Sequence, residues 1–350
     1  MFLFIIRKKK KKRKVSTKRG YVLPHGNRDV RRTGRRCCKM KLFVRALVVL
    51  VTMSILYIAM DYLNTPPIDV IQTYYDQYDI RHIINEPNTC KNHDESDAEV
   101  EMFVCVLSAA NKSEARQTIR DTWGKTIKEP GKPFRLVFFV ANAGDAVNEV
   151  VKQESDEFHD IVQFDHEDTY NNLTLKSISL LRWIHSHCQQ TTFILKADDD
   201  MVINVKNMVT SLRKAHKRTN RFFLCNVKWK SPVIRDIKNK WYVTREEYRA
   251  NHYPPYCQSL YAFTGKMILE MVLAASKVPL FKWEDIHVTS NIANEIQVSR
   301  FHHNGIRPFR NRPININKPC LFKYYLATGG LNTAEIRTLW RNFHERCTRN

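Results

Sequence analysis

From about residue 100 onward the chain alternates short apolar runs with helical patterns, and this alternation limits the fold more than any other feature. Residues 100–107, 134–140 and 160–164 read as buried strands; residues 113–123 read as a helix with Ser113 as its candidate N-cap. Residues 173–188 are helical, with Ser177, Ile178, Leu181, Ile184, His185 and Cys188 on one face. Residues 192–196 form a further strand, 205–216 a helix and 222–227 a strand. Residues 260–263 then lead into a helix over 266–276, and 286–295 read as another helix. Such alternation over roughly 250 residues implies one α/β domain with a largely parallel sheet. Ligands of such sheets gather at the carboxyl ends of the strands. No glycine-rich phosphate loop is present, which argues against P-loop and dinucleotide-binding folds.

One strand ends in a way that names a chemistry. The apolar run Phe193-Ile-Leu-Lys-Ala stops at Asp198-Asp199-Asp200, and a second apolar run follows. Carboxylates at a strand end can hold a hard divalent cation that keeps open positions for substrate phosphates. Alternate residues of an extended strand face one way, so Asp198 and Asp200 are expected to point together and Asp199 elsewhere. A solvated acidic turn is the plain alternative.

The charge of the chain is concentrated at its start. The formal net charge is +22, yet 17 of the first 41 residues are Lys or Arg against a single acid, Asp29. The remainder carries 40 basic and 34 acidic residues, too mild an excess to argue for nucleic acid as a partner. Residues 42–60 are nearly all apolar, long enough as a helix to cross a bilayer, and Arg45 lies at the basic end where it can snorkel. The expectation is a single-pass signal anchor over 42–60. It has a cytosolic basic tail over 1–41, a polar stem over 61–99 and a luminal domain over 100–350. A nuclear-import run at 8–15 and a cleaved signal peptide are the rival readings. Cys37 and Cys38 lie on the cytosolic side; the other seven cysteines allow up to three disulfides with one thiol left over, in a pairing the sequence leaves open. Asn111-Lys-Ser and Asn172-Leu-Thr are glycosylation sequons, usable only in a lumen.

Several ordered blocks resemble the β-1,3-galactosyltransferase family, glycosyltransferase family 31, which also includes β-1,3-N-acetylglucosaminyltransferases. They are Arg116-Gln-Thr-Ile-Arg120-Asp-Thr-Trp123, the Asp168-x-Tyr170-x-Asn172-Leu-Thr-Leu-Lys176 segment, the aspartate triplet, Tyr253-Pro-Pro-Tyr-Cys257 and Glu284-Asp285-Ile286. The resemblance implies a GT-A-like nucleotide-sugar-binding domain on a Golgi type II anchor, with an inverting β-1,3-hexosyl transfer. The donor is a UDP-sugar, UDP-galactose first and UDP-N-acetylglucosamine second, and the acceptor a glycan on lipid or protein. Mn²⁺ is expected on Asp200 and Asp198, where it would stabilise charge on the departing diphosphate. Asp199 is assigned to the nucleotide sugar or to bracing its loop, Arg116 and Arg120 to uridine or diphosphate, and Lys176 with Asp168 to the donor-side loop. Asp285 is the candidate base, with Glu284 its neighbour, and Tyr253 and Tyr256 are candidates to stack on the acceptor. Trp123 reads as core rather than as a nucleotide wall. For the arginines the alternative is a salt-bridged surface helix; for Asp285 it is a favourable charge at a helix start.

The chain departs from the family pattern at three places. Gln258-Ser259-Leu260-Tyr261 lacks the glycines usual after the cysteine, and Thr289 and Ser290 stand where a glycine commonly follows the Glu-Asp pair. Gly329 falls where a histidine is expected as third metal ligand, with His302 or His303 as possible substitutes. A catalytically silent luminal binding protein and a homodimer both stay open on the sequence alone.

Overall fold

The computed structural model describes residues 45, 47–56, 81–92, 96, 98–129, 131–308 and 314–347. Residues 47–56 are helical, and among the described residues no helix is long and apolar enough to cross a membrane. The basic tail and much of the expected 42–60 span and 61–99 stem lie outside the described residues. By internal contacts the chain divides into residues 1–67 and 68–350.

The second unit is built on a mixed eight-stranded sheet in the order β1-β4-β3-β2-β5-β8-β7-β9. Its strands are β1 (His82–Ile84), β2 (Met102–Leu107), β3 (Phe134–Asn142), β4 (Ile161–Glu167), β5 (Phe193–Asp198), β7 (Phe222–Lys228), β8 (Tyr256–Thr264) and β9 (Ser299–His302). A small sheet joins β6 (Val202–Ile203), β10 (Ile306–Arg307) and β11 (Ala327–Thr328). All residues of β2 are buried because the strand is covered on both faces, as parallel strands with crossover helices must be. Val104 and Val106 enter one core with Trp123, Leu212 and Leu339, while Phe103 and Cys105 enter the other with Trp183, Met271 and Val288. Helices α1 (Ser113–Asp121), α2 (Trp123–Ile127), α3 (Asp145–Phe158), α4 (Leu173–His187), α5 (Val205–His216), α6 (Ile268–Lys277) and α7 (Thr333–Cys347) complete the layers.

Several expectations need correcting. The sheet is parallel across β4-β3-β2-β5, but β8 runs antiparallel to both its neighbours. The segment between β7 and β8 contains no crossover helix, so the chain returns in the opposite direction. The stem does not reach residue 99: β1 pairs with β4, Ala98 is buried, and Cys90 is bonded to Cys188. Ser113 is the first helical residue, not the cap; Lys112 holds that position without a side-chain capping bond. Residues 286–295 are not a regular α-helix, since the helical segment starts at Glu284 and His287–Ile292 is π-helical. The helix α3 is absent from the sequence reading. Cys225–Cys257 and Cys320–Cys347 are also bridged, leaving Cys105 as the buried free thiol among the described residues.

The chain order β2, β3, β4 runs to one side of β2, and β5 then opens the other side. The crevice at the carboxyl ends of β2 and β5 is therefore the topological switch point, where α/β sheets bind ligands. The aspartates end β5 there, and residues 108–112 follow β2 there.

Candidate active site

The three aspartates go to three different surroundings. β5 ends at Asp198 and residues 199–200 form a turn, so strand alternation does not govern the triplet as the sequence suggested. Asp198 Oδ1 accepts from Lys196 Nζ at 2.8 Å. Asp199 is buried and accepts from Ser108 Oγ at 2.8 Å and from Lys112 Nζ at 3.0 Å. Asp200 is half-buried and has no salt-bridge partner among the described residues. Burial and the charges of Asp198 and Asp199 push its carboxyl up to about 7, with Lys112 offsetting part of the effect. Its turn is anchored by its own carbonyl accepting from Leu331 N at 3.1 Å, and by Trp123 Nε1 donating to Met201 O at 2.8 Å. Trp123 is thus a buried core residue that ties α2 to the triplet's turn.

Residues 108–112 are held from beneath by a buried charge network. Arg116, fully buried, donates to Ala109 O at 2.7 Å, Ala110 O at 3.0 Å and both carboxylate oxygens of Glu154. Arg120 pairs with Glu154 and with Asp160. Neither guanidinium reaches the crevice, which corrects their assignment to uridine or diphosphate: their donors are spent inward, on α3 and on the loop. Lys176 Nζ binds Asp168 Oδ1 at 2.6 Å and Ser108 O at 3.0 Å, and Asp168 Oδ2 accepts from Ala110 N at 2.8 Å. Lys176 therefore also serves the loop rather than a ligand. What this scaffold presents to solvent is Lys112, about half exposed, whose ammonium is felt by all three aspartates.

On the other flank the 284–295 segment carries the second carboxylate pair. Glu284 is buried and fully engaged: Oε1 accepts from Tyr261 OH at 2.6 Å and Ser177 Oγ at 3.0 Å, and Oε2 from Lys196 Nζ at 3.1 Å. It anchors the site and cannot itself take a substrate proton. Asp285 is half-buried and accepts from Ile286 N at 2.9 Å. Burial first, and the Glu284 charge next, push its carboxyl up to about 7 against a partial offset by Lys196. A carboxylate with that value can exchange a proton near neutral pH.

The departures in sequence have structural answers. Ser259 adopts φ 41°, a left-handed conformation that favours glycine, and its carbonyl accepts from Lys196 Nζ at 2.9 Å. Thr289 Oγ1 accepts from Cys257 N at 2.8 Å and donates to Asp285 O, joining the Asp285 segment to β8. Tyr253 is buried in an apolar cluster with Phe281 and Trp283, its phenol pushed up to about 12 by burial, so it is core rather than an acceptor platform. Tyr256 is half-buried, edge-on to Tyr253.

A third protein ligand for a metal is not available at 329. A Cβ on Gly329 would lie 2.9 Å from Met201 Cε and 2.9 Å from Pro308 O, so the space a larger side chain needs is filled. His302 Nδ1 accepts from Val227 N at 3.0 Å, and His303 Nδ1 from Gly305 N at 3.0 Å, so both are committed to local structure. Among the described residues no group of three or more His, Cys, Asp or Glu is placed to hold a metal. Asp200 feels the charge of Asp198, and a hard cation completed by substrate phosphates would need only one or two such carboxylates.

Lys112, Ser108, Lys196, Tyr261 and Glu154 also build the site, and none of them is singled out by a sequence motif. Lys196 carried a usable signal: a lone charge inside the apolar run Phe193–Asp198, two residues from Asp198 and so on its side of the strand. Of the two sequons, Asn111 is exposed, whereas Asn172 is half-buried and donates through Nδ2 to Glu167 O at 3.0 Å.

Beta-1,3-galactosyltransferase 1 of Homo sapiens is 29% identical over 276 residues, covering 76% of this chain and 80% of that protein. Beta-1,3-galactosyltransferase 5 of Homo sapiens is 36% identical over 189 residues, 53% of this chain and 61% of that protein. Among solved structures, a glycosyltransferase involved in the glycosylation of the major capsid of PBCV-1 overlaps 69% of this chain and 98% of that one, with a TM-score of 0.39 and 11% identity. The galactosyltransferase family model matches residues 114–304, which takes in α1, the triplet and Asp285, and the chain belongs to that family.

Proposed function

We propose that this chain transfers galactose from UDP-galactose to a hydroxyl of a glycan acceptor, with inversion, forming a β-1,3 bond. As a member of the galactosyltransferase family it is a glycosyltransferase. The relatives named beta-1,3-galactosyltransferase 1 and 5 support the linkage and the sugar. The observation that carries the reading is the Lys196 ammonium, which joins Asp198 of the triplet to Glu284 beside Asp285. One buried cation thus couples a donor flank to a base flank.

In this reading the switch-point crevice, a GT-A-like arrangement, takes the nucleotide diphosphate. Asp200 and Asp198 would hold Mn²⁺ with the donor's phosphates, and the ion when bound supplies stabilisation of the negative charge that builds on the departing diphosphate. Lys112 adds a fixed positive charge at the same place. Asp285 accepts the proton of the acceptor hydroxyl as that oxygen forms its bond to the anomeric carbon. The anomeric carbon–phosphate oxygen bond breaks and UDP leaves. The basic tail, the apolar run over 42–60 and the disulfides support a Golgi type II placement with the folded unit in the lumen.

The test is UDP release by the detergent-solubilised full chain with UDP-galactose, UDP-N-acetylglucosamine or UDP-N-acetylgalactosamine, with and without a panel of hexose glycosides. Turnover of UDP-galactose that disappears in Asp200→Ala is the expected result. A preference for UDP-N-acetylglucosamine would reassign the donor. A folded chain that neither turns over nor binds any of the three would overturn the proposal.

A further inference from the structure

Two aromatic side chains stand exposed beside the base flank. Tyr170, in the turn after β4, is 53% exposed, and Trp241, in the segment between β7 and β8, is 43% exposed. They come from segments 71 residues apart, and Trp241 Nε1 donates to Tyr170 OH at 3.2 Å. The Tyr170 ring lies 6.1 Å from that of Trp283, a buried residue two positions before Asp285. Three rings therefore lead outward to solvent from the segment that carries Asp285. The backbone N–H of Trp241 donates to Asn239 Oδ1 at 3.0 Å, which fixes the main chain that carries the indole. Lys240 Nζ lies 5.4 Å from the Tyr170 ring centre and 4.6 Å from that of Trp241, a cation–π contact with both.

We propose that Tyr170 and Trp241 form the stacking platform for the pyranose ring of the glycan acceptor. Exposed aromatic surface held in a fixed geometry beside a reactive carboxylate is the surface that a ligand with one apolar face and polar edges would cover. A pyranose has that character: its C–H face packs on the rings while its hydroxyls reach Lys240 and the water around it. The ligand is the acceptor rather than the donor because the platform joins the base through Trp283. The diphosphate belongs to the triplet and Lys112, on the opposite flank. The hydroxyl to be deprotonated must come within hydrogen-bond reach of Asp285. The charges of Asp285, Asp198 and Glu284 are all felt at the Tyr170 phenol, whose pKa is raised by burial first and by those charges after it. The platform replaces Tyr253, which the apolar cluster has buried.

The inference rests on the transfer reading above, and its test separates the two. With the full chain, Trp241→Ala should raise the acceptor KM about tenfold and leave the UDP-galactose KM, measured as donor hydrolysis, within about twofold. Trp241→Phe, which keeps a ring, should recover most of the acceptor affinity. A second readout needs no turnover: titrating methyl β-N-acetylglucosaminide and methyl β-galactoside in the presence of UDP should shift tryptophan fluorescence in the wild type and not in Trp241→Phe. An unchanged acceptor KM in a folded Trp241→Ala chain would overturn the platform, and so would a change confined to the donor KM. If no donor is turned over, the fluorescence titration decides: a saturable shift lost in Trp241→Phe keeps the platform while the transfer reading fails, and no shift overturns both.

Discussion

Lys196 and Glu284 are 88 residues apart in the chain and joined by a 3.1 Å contact at the site. The lysine is almost completely buried, and its other partners are Asp198 Oδ1 and Ser259 O. The Asp198 and Glu284 charges hold its pKa above the ordinary lysine range despite burial.

Lys196→Met should therefore be severe. It leaves two carboxylates without their cation, and breaking a buried pair from one side costs about 3–5 kcal/mol. Thermal unfolding should show the loss directly. Lys196→Arg should keep the charge but displace Ser259, giving a folded chain of reduced turnover. Wild-type stability in Lys196→Met would mean that the two carboxylates do not depend on it.

Asp285 should impose a pH profile. A general base acts ionised, so kcat/KM should rise with pH through about 7, following its raised carboxyl. The stability effect has the opposite sense. The folded pKa is above the unfolded value, so the unfolded chain gives up its proton first, and stability falls as pH rises from 3.8 to about 7. Asp285→Asn should then lower kcat by roughly 10²–10⁴ while raising the unfolding temperature at pH 8 and leaving it unchanged near pH 4. Unchanged turnover in that variant would remove Asp285 as the base.

Lys112 should matter to the donor alone. Lys112→Met removes a half-exposed ammonium from beside the triplet, and UDP affinity by calorimetry should fall about tenfold, with acceptor KM little changed. The fold should survive, because Ser108 still bonds Asp199. Equal UDP affinity in wild type and variant would restrict Lys112 to neutralising Asp199.

The closed space at Gly329 predicts that restoring the family's histidine will not restore a metal ligand. Gly329→His meets Met201 Cε and the backbone oxygen of Pro308, and overpacking of this kind costs about 1–3 kcal/mol. Mn²⁺ affinity, measured with UDP present, should not rise. A tenfold tighter site would show that the Gly329 turn yields easily.

Much of the architecture was legible because burial on both faces writes itself into a strand: 100–107 and 134–140 read as apolar runs from composition alone. The helix Asp145–Phe158 did not, because it buries little more than Val151 and Ser155 and its remaining positions are polar or partly exposed. The same helix supplies Glu154, so missing it also hid why Arg116 and Arg120 face inward. The antiparallel return of β8 was hidden for a related reason: strand direction depends on what fills the connection, and 229–255 has neither helical period nor strand alternation. At the site, ordered motifs identified Asp198, Asp200 and Asp285, whereas the contacts that tie their flanks together, Lys112 to Asp199 and Lys196 to Glu284, span 87 and 88 residues along the chain and leave no local pattern.

The bridge between Cys225 and Cys257 has a consequence for how a newly made molecule becomes competent. Ser259 and Tyr261, which hold Lys196 and Glu284, follow within four residues of Cys257. The parallel strands β2 to β5 contain a single cysteine, Cys105, which is unbridged. A chain kept among cytosolic reductants would leave this latch open, as it would the Cys90–Cys188 bridge that ties the end of α4 to the segment before β2. Maturation of the enzyme is then a thiol event: the organelle that oxidises Cys225 and Cys257 is the one in which sugar transfer can begin.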